Sequence, residues 1–440
     1  MGLMRRVRRA MADDGFGLPE VMVAMFIFAL VSLGLLHTIM SVLTTTRDAR
    51  SRQVALNLAS QAIDDARSRP DLFNLLDSTW TTDVNGDTYT VSLETEWVSD
   101  PTVDLACGAG GGVLRYKRVN VSVTWPNMRP VTQPVRADTV INPDERLNDP
   151  SKGTILVSVI RGDGSGSAGV TVSAQPLSSG ATPPSVITDA EGCAYMLQVD
   201  PGDYRVRVSR GGYVGVDQQT SASTDVTVTQ GTSASASFQY DLAAGFTAHL
   251  ASNAGATVPE VSSDMPVTFV STYGWSTLDG TGRDRTHALH PFASGYTAFG
   301  GSCDAADPEA WPDRIDGADT YVGERAPSLG LLAGTSGVLD VPMALVQVTP
   351  GGDSSSSHLR IESADDPAGE HPGCSTTINY YLGNGSGTRT IALPYGSWRI
   401  YRGSSWLSGR TTLVTAVVPV TLGTFDGTTL TLDPREVLAP

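Results

Sequence analysis

One acidic residue lies in an otherwise uncharged apolar stretch near the start of the chain. Glu20 belongs to the stretch Leu18–Leu43, in which the one other ionisable residue is His37. A carboxylate placed deep in a bilayer costs roughly 2.5–3.5 kcal/mol on insertion scales, so such a residue needs a partner.

Four cysteines, all downstream of this stretch, are the next candidates for chemistry. No two of them form a C-x-x-C pair, which argues against a thioredoxin-type redox centre and against most zinc sites. Outside the cytoplasm, disulfides are permitted. Cys303 and Cys374 lie in the same C-terminal region, and we predict that they pair. Cys107 and Cys193 fall in different predicted domains, so they either bridge those domains or stay reduced.

No other set of residues has the spacing of a catalytic or metal site. His287 and His290 are close in sequence, but no carboxylate–histidine pattern surrounds them, and we expect solvated loop histidines. Acidic residues are scattered, and neither G-x-S-x-G nor a glycine-rich phosphate loop occurs. The sequence therefore predicts no enzyme activity, no metal and no cofactor.

Composition and charge exclude further classes of protein. Acidic residues outnumber basic ones 46 to 30, and the net charge is −16. This balance argues against a nucleic-acid partner and against a polybasic membrane-surface protein, since both need clustered cations. With 46 glycines and 26 prolines, the chain is rich in turns and is expected to be mostly β. Its 440 residues suffice for three or four domains of about 100–150 residues.

A basic leader and a long apolar helix are the elements that would position Glu20. Four arginines occur in the first nine residues, and the apolar run that follows is too long for a secretory signal. A bilayer is spanned by about 20 apolar residues, which the stretch 18–43 supplies. Apolar residues then recur at helical spacing over Val54–Ala66, before Pro70. We predict one helix over 16–69, about 80 Å long, with its membrane half at 18–43.

The segment GFGLPEVMVAM, which begins at Gly15, resembles the class III signal of type IV prepilins and pseudopilins. In that family prepilin peptidase cuts after the glycine, the next residue becomes a methylated N-terminus, and a glutamate follows at the fifth position. Gly15, Phe16 and Glu20 match these positions, whereas two residues between them differ from the common ones. The resemblance implies a cut between Gly15 and Phe16 that removes a leader of residues 1–15 and frees a cationic amine at Phe16. That amine could neutralise Glu20 of a neighbouring chain, which would give Glu20 a role in assembly.

Residues 78–141 are expected to form the sheet on which the second half of the helix packs. Segments at Tyr89–Trp97, Arg115–Trp125 and Val131–Ile141 are predicted strands, and apolar and polar residues alternate in them as in half-buried strands. A short antiparallel meander on a long helix is also what pilin-like heads show. The polar, Pro-flanked residues 142–151 are expected to be an interdomain linker.

Residues 152–240 resemble the carboxypeptidase-regulatory-like, or transthyretin-like, seven-strand β-sandwich. The places of its G-x-x-Y…PG-x-Y-x-V signature are held by Gly192, Tyr195, Pro201, Gly202, Tyr204 and Val206. That family is structural, and the resemblance carries over no catalytic residue.

The remainder of the chain is expected to continue as β modules. A proline and then a glycine precede an aromatic residue at intervals of about 90–100 residues, which favours tandem small β-sandwiches. Two further modules at 241–330 and 331–440, or one larger β domain, fit the sequence about equally well. The expected fold class is α+β and mostly β: a long N-terminal pilin helix on a small antiparallel sheet, followed by tandem immunoglobulin-like or transthyretin-like sandwiches.

Together these features predict a minor type IV pilin-like subunit. It would be processed by prepilin peptidase, anchored by one helix in the cytoplasmic membrane with its body outside, and incorporated into a surface filament. Its partners would be other pilin subunits and the assembly platform. A mass of 46.2 kDa favours a sparse or tip subunit. The alternatives are a pseudopilin of a type II secretion or DNA-uptake apparatus, and an adhesin or glycan-binding protein mounted on a pilin stalk.

Overall fold

The computed structural model shows one long helix followed by many β-strands, which confirms the α+β, mostly β fold class. The chain divides into two compact units, Met1–Glu96 with Tyr116–Pro143 and Trp97–Arg115 with Asp144–Pro440. The residues that the structure describes are 18–69, 72–73, 75–98, 107, 116–126, 128, 133–142, 149–349, 358–365, 373–383, 387–403, 412–420 and 423–437.

Helix α1 of the first unit spans Leu18–Arg67, inside the range expected from the sequence. Its 50 residues make a rod about 75 Å long at 1.5 Å per residue. The second half buries a stripe of mostly small side chains against the sheet of this unit. The stripe consists of Ala55, Ala59, Ala62, Ile63 and Ala66. Because alanine adds only a methyl group, the helix backbone can lie close to the sheet.

Four strands form the sheet of the first unit, in chain order across the sheet. They are β1 (Ser78–Val84), β2 (Asp87–Val98), β3 (Tyr116–Thr124) and β4 (Val135–Ile141). The three strands expected from alternation correspond to β2, β3 and β4. Sequence reasoning missed β1 because most of its side chains are exposed, so its sequence STWTTDV lacks a periodic apolar signal.

A buried lysine joins the end of the helical region to this sheet. Lys117 on β3 is 1% exposed, and its ammonium donates to the carbonyl oxygens of Leu72, at 3.1 Å, and Leu75. A charge removed from water needs such acceptors, because an unpaired buried ammonium is strongly unfavourable. Lys117 therefore fixes the connection between α1 and β1 onto the sheet.

The second unit begins with a β-sandwich over residues 153–242. Its strands are β5 (Gly153–Ile160), β6 (Thr171–Pro176), β7 (Val186–Ile187), β8 (Cys193–Val199), β9 (Gly202–Ser209), β10 (Tyr213–Gly215), β11 (Ser221–Val228) and β12 (Ser233–Leu242). They form one sheet in the order β10-β12-β5-β8 and another in the order β11-β9-β6-β7. The first and last strands, β5 and β12, pair in parallel.

The signature residues of this sandwich have identifiable structural roles. Gly192 has φ +78°, and a Cβ there would lie 2.2 Å from the Val159 carbonyl oxygen, so glycine is required. Tyr204 and Val206 are buried in the core between the two sheets. The Tyr204 hydroxyl also donates to the Asp200 carbonyl at 3.0 Å. The signature thus specifies a turn and a core rather than a reaction site.

The rest of the second unit contains eighteen strands and three short 3-10 helices within the described residues. The first eight strands are β13 (Ala244–Leu250), β14 (Val267–Ser271), β15 (Gly274–Leu278), β16 (Asp284–Leu289), β17 (Thr297–Gly300), β18 (Arg314–Asp316), β19 (Asp319–Val322) and β20 (Ser336–Val341). The others are β21 (Ala344–Val348), β22 (His358–Ser363), β23 (Thr377–Tyr381), β24 (Arg389–Leu393), β25 (Gly396–Gly403), β26 (Thr412–Leu413), β27 (Val417–Pro419), β28 (Thr424–Phe425), β29 (Leu430–Leu432) and β30 (Glu436–Val437). The 3-10 helices are Ser252–Ala254, Asp304–Ala306 and Pro308–Ala310.

Strand pairing does not follow the boundary expected between residues 330 and 331. Strand β20 pairs in parallel with β13, so it closes the sheet that begins at Ala244. Strand β19 pairs with β30 near the C-terminus, and one buried core runs continuously from Ala244 to Leu432. We therefore propose that residues 244–437 form one larger β domain around a shared core, the second of the two arrangements that fit the sequence, rather than separate modules that divide at 330.

Candidate functional site

The first half of α1 presents apolar side chains to every side. All large apolar side chains described between Leu18 and Leu43 are exposed, many of them by more than half. A helix that is apolar all round is stable only inside a membrane or a helix bundle. The helix is also long and apolar enough to cross a membrane.

Threonine hydroxyl groups along this region are hydrogen-bonded within the helix itself. Thr38 donates to the Gly34 carbonyl at 2.9 Å, Thr45 to the Ser41 carbonyl at 2.8 Å, and Thr46 to the Val42 carbonyl at 2.8 Å. Polar groups that face hydrocarbon are costly unless they are hydrogen-bonded. These internal bonds therefore let an apolar environment surround the helix without leaving the three hydroxyls unpaired.

The membrane-length part of α1 gives way to the sheet-packing part within a few residues. Arg47 is the first charged residue after the apolar stretch, and its guanidinium lies 2.6 Å from the Asp87 carboxylate at the start of β2. Ser51 and Ala55 are the first helix residues buried against the sheet. The helix therefore divides near Arg47 into an exposed apolar half and a half that carries the sheet.

The residues expected to govern processing lie at or before the start of α1. Gly15 and Phe16 are outside the residues that the structure describes. Glu20 is in the first turn of α1, but its side chain is likewise outside the described part. The structure therefore fixes the helical conformation at Glu20, and the pairing of its carboxylate stays a prediction.

The structure brings the four cysteines together as two disulfides, both within the second unit. Cys303 is bonded to Cys374, with an S–S distance of 1.97 Å. Cys107 is bonded to Cys193, with an S–S distance of 2.03 Å. The sequence left open whether these two cysteines pair or stay reduced, and in the structure they pair. Both sulfurs of the second pair belong to residues that are at least 98% buried.

The two neighbouring histidines are not solvated loop residues, and that expectation is wrong. His287 lies on β16, and His290, just after it, is completely buried. Burial lowers the pKa of both imidazoles, and the nearby Arg285 lowers that of His287 further. Sequence reasoning failed here because the neighbours of His290 include residues distant in sequence, such as Gly162 and Gln218. Among the described residues, no group of three or more His, Cys, Asp or Glu side chains is placed to hold a metal.

Comparisons with known proteins bear mainly on the N-terminus. Residues 11–36 match the family model of the prokaryotic N-terminal methylation motif. No match was found among curated proteins. The matched residues include the Gly15-Phe16 pair, Glu20 and the first half of the apolar stretch, so the motif and the exposed half of α1 coincide.

Solved structures with some similarity include a Bacillus anthracis TIE protein, which is 13% identical with a TM-score of 0.20 and covers 79% of this chain and 71% of its own. A streptococcal ancillary pilin is 12% identical with a TM-score of 0.19, over 51% of this chain and 74% of its own. BcpA, the major pilin subunit of Bacillus cereus, is 12% identical with a TM-score of 0.19, over 64% and 95%. These scores are too low for whole folds to correspond, and no functional conclusion rests on them. The N-terminal segment of this chain is therefore of the prepilin type, with a methylation motif that leads into a membrane-length apolar helix.

Proposed function

We propose that this protein is a non-catalytic, minor pilin-like subunit that is anchored by α1 and displays a β-rich body outside the membrane. The observation that carries the proposal is the coincidence of the N-terminal methylation motif with a helix half that is exposed and apolar on all sides. Such a surface is covered either by lipid or by the same helix of other subunits. A pilin-like subunit occupies both environments in turn, first the membrane and then the filament.

Processing supplies the positive charge that Glu20 needs as a partner. Prepilin peptidase cuts between Gly15 and Phe16, and the new amine keeps its positive charge after methylation. Within a bundle of such helices, this cation neutralises Glu20 of a neighbouring subunit. Because an unpaired carboxylate in hydrocarbon costs roughly 2.5–3.5 kcal/mol, the pair favours the assembled state over isolated helices.

Size supports a minor rather than a major subunit. Residues 149–437 add a large β body beyond the small sheet on α1, in a chain of 46.2 kDa. A body of this size at every position of a helical filament would crowd its neighbours, whereas a tip or sparse position has room for it. A pseudopilin of a secretion or DNA-uptake apparatus would use the same helix, and the identity of the co-assembling subunits separates the two.

Processing is tested directly by substituting the residue before the cleavage point. The full chain is produced with and without a prepilin peptidase, and the intact mass and N-terminal residue are measured after membrane extraction. We expect the wild-type chain to begin at methylated Phe16 only with the peptidase, and Gly15→Ala to retain the leader. Gly17→Ala is the matched control and should be cleaved. A wild-type chain that still begins at Met1 in the presence of the peptidase would overturn the proposal.

A further inference from the structure

The chain passes between its two units more than once. It leaves the first unit after Glu96, enters the second as the segment Trp97–Arg115, and returns to the first at Tyr116. It leaves the first unit again after Pro143. The segment Trp97–Arg115, which begins with the last two residues of β2 and ends just before β3, therefore interrupts the first unit in sequence, while it belongs to the second unit.

A disulfide ties this inserted segment to the first sandwich. Cys107 is bonded to Cys193, the first residue of β8. Cys193 is itself fixed in the sandwich: its backbone N–H donates to the Asp189 carboxylate at 2.8 Å, and it pairs with Ser158 of β5. The same segment begins with Trp97, whose ring meets that of Tyr195 on β8 edge to face, with centroids 6.3 Å apart. The sulfur bridge thus ends on a strand within a packed sheet.

We propose that the Cys107–Cys193 disulfide is a second covalent connection between α1 and the body (residues 144–440), and that it makes the linker at 142–151 dispensable for holding the body. Without the bridge, the polypeptide at 143–144 is the sole covalent connection. With the bridge, α1 is also connected to the body through β2, Cys107 and the disulfide bond to Cys193 of β8. This role as a tether rests on the proposed function, in which α1 is anchored and the body is displayed.

The bridge also changes how far the chain can extend under tension. Without the bridge, the chain from Cys107 reaches the body at Asp144 after 37 residues, and an extended chain spans at most about 3.6 Å per residue. The disulfide therefore removes about 130 Å of extensible chain, including the start of the linker, from the shortest covalent path between α1 and the body. Polar linkers are also preferred sites of proteolytic nicking, so a surface-displayed body gains from a second connection.

The experiment cuts the linker and asks whether the body stays attached. A recognition sequence for a site-specific protease is inserted between Asp144 and Glu145 of the full chain, which is then produced in membranes. After cleavage the membranes are washed, and the body is quantified in the pellet and the wash. We expect at least about 90% retention without reductant and release with reductant. The variant Cys107→Ser/Cys193→Ser should release the body without reductant.

The matched control is Cys303→Ser/Cys374→Ser, which lacks the other disulfide and should retain the cut body. Release of the body from the oxidised wild-type chain would overturn the proposal. Retention after complete reduction, or in the Cys107→Ser/Cys193→Ser variant, would overturn it as well, because the disulfide would not be what holds the body. Reduction of the folded wild-type chain gives an answer even if the double variant misfolds. The result does not depend on cleavage at Gly15 or on filament incorporation, so the two proposals fail separately.

Discussion

A single carboxylate near the start of α1 carries the main functional argument at the scale of residues. Glu20 stands in the first turn of a helix whose first half is otherwise apolar. The N-terminal end of a helix favours a negative charge, which lowers the cost of the carboxylate but does not remove it in hydrocarbon. A cationic partner is still needed, and under the proposed function that partner is the processed amine of Phe16.

Neutralising this carboxylate tests the pairing. In Glu20→Gln the side chain keeps its size but cannot pair with the amine of a neighbouring subunit. We expect membrane insertion and cleavage to be unchanged, and the amount of protein in sheared surface filaments, measured by immunoblot, to fall at least about tenfold, equivalent to about 1.4 kcal/mol. Glu20→Asp, which retains the charge, is the control and should be incorporated better than Glu20→Gln. Wild-type incorporation of Glu20→Gln would contradict the pairing.

At the scale of elements, α1 combines two surfaces with different requirements. Its first half must be apolar on all sides, whereas its second half needs a narrow stripe of small residues against β2, β3 and β4. The stripe at Ala55, Ala59 and Ala62 leaves little room between helix and sheet. The spacing of these alanines, four and then three residues, was visible in the sequence, because a helix returns to the same face about every 3.6 residues.

Enlarging one alanine of this stripe should loosen the helix from the sheet. Ala59 is completely buried, so Ala59→Leu adds three carbons to a packed interface and should cost about 1–3 kcal/mol. We expect faster amide hydrogen exchange in β3 of the detergent-solubilised full chain, since local opening becomes easier. Asn57→Leu, on the exposed side of the same turn, should leave exchange unchanged. Equal exchange in the Ala59→Leu variant and the wild-type chain would show that the interface is not tightly packed.

At the scale of the whole molecule, side chains distant in sequence join the first sandwich to the strands that follow it. The Gln218 amide donates to the Tyr296 hydroxyl at 2.9 Å and accepts from the His290 backbone N–H at 2.8 Å. His290 is wholly buried beside Phe292, with ring centroids 4.7 Å apart. Neither of its ring nitrogens has a hydrogen-bond partner among the described residues. The junction therefore requires a neutral imidazole.

This requirement predicts a pH dependence of stability. Burial lowers the pKa of His290 in the folded chain, partly opposed by Asp241, so the unfolded chain, with a pKa near 6.5, binds the proton more readily. The free energy of unfolding should therefore fall as the pH drops below about 6.5. His290→Gln removes the titrating group, so its stability should fall less between pH 7.5 and pH 5.5 in denaturant titrations of the full chain. Equal pH dependence in both chains would contradict this account.

Much of the fold was predictable where it depends on neighbours in sequence. The helix bounds and the strands β2, β3 and β4 follow from local periodicity, and Gly192 and Tyr204 from a short signature. Three features were not predictable in this way. β1 is too exposed to show alternation, β20 pairs with a strand about 90 residues earlier, and the buried His290 has neighbours, such as Gly162 and Gln218, that are remote in sequence.

The sequence alone determined the N-terminal methylation motif and the apolar helix, because the motif, a carboxylate in an apolar stretch and a bilayer-length run are all contiguous features. Only the tertiary structure decided the partner of Cys107 and the course of the strands beyond residue 241. Disulfide geometry demands that two sulfurs approach to about 2 Å, and parallel strand pairing demands a distant partner, so both depend on how the whole chain folds back on itself. The proposed covalent tether likewise depends on the tertiary structure, because it needs Cys107 of the inserted segment to bond to Cys193 of β8, 86 residues later in the sequence.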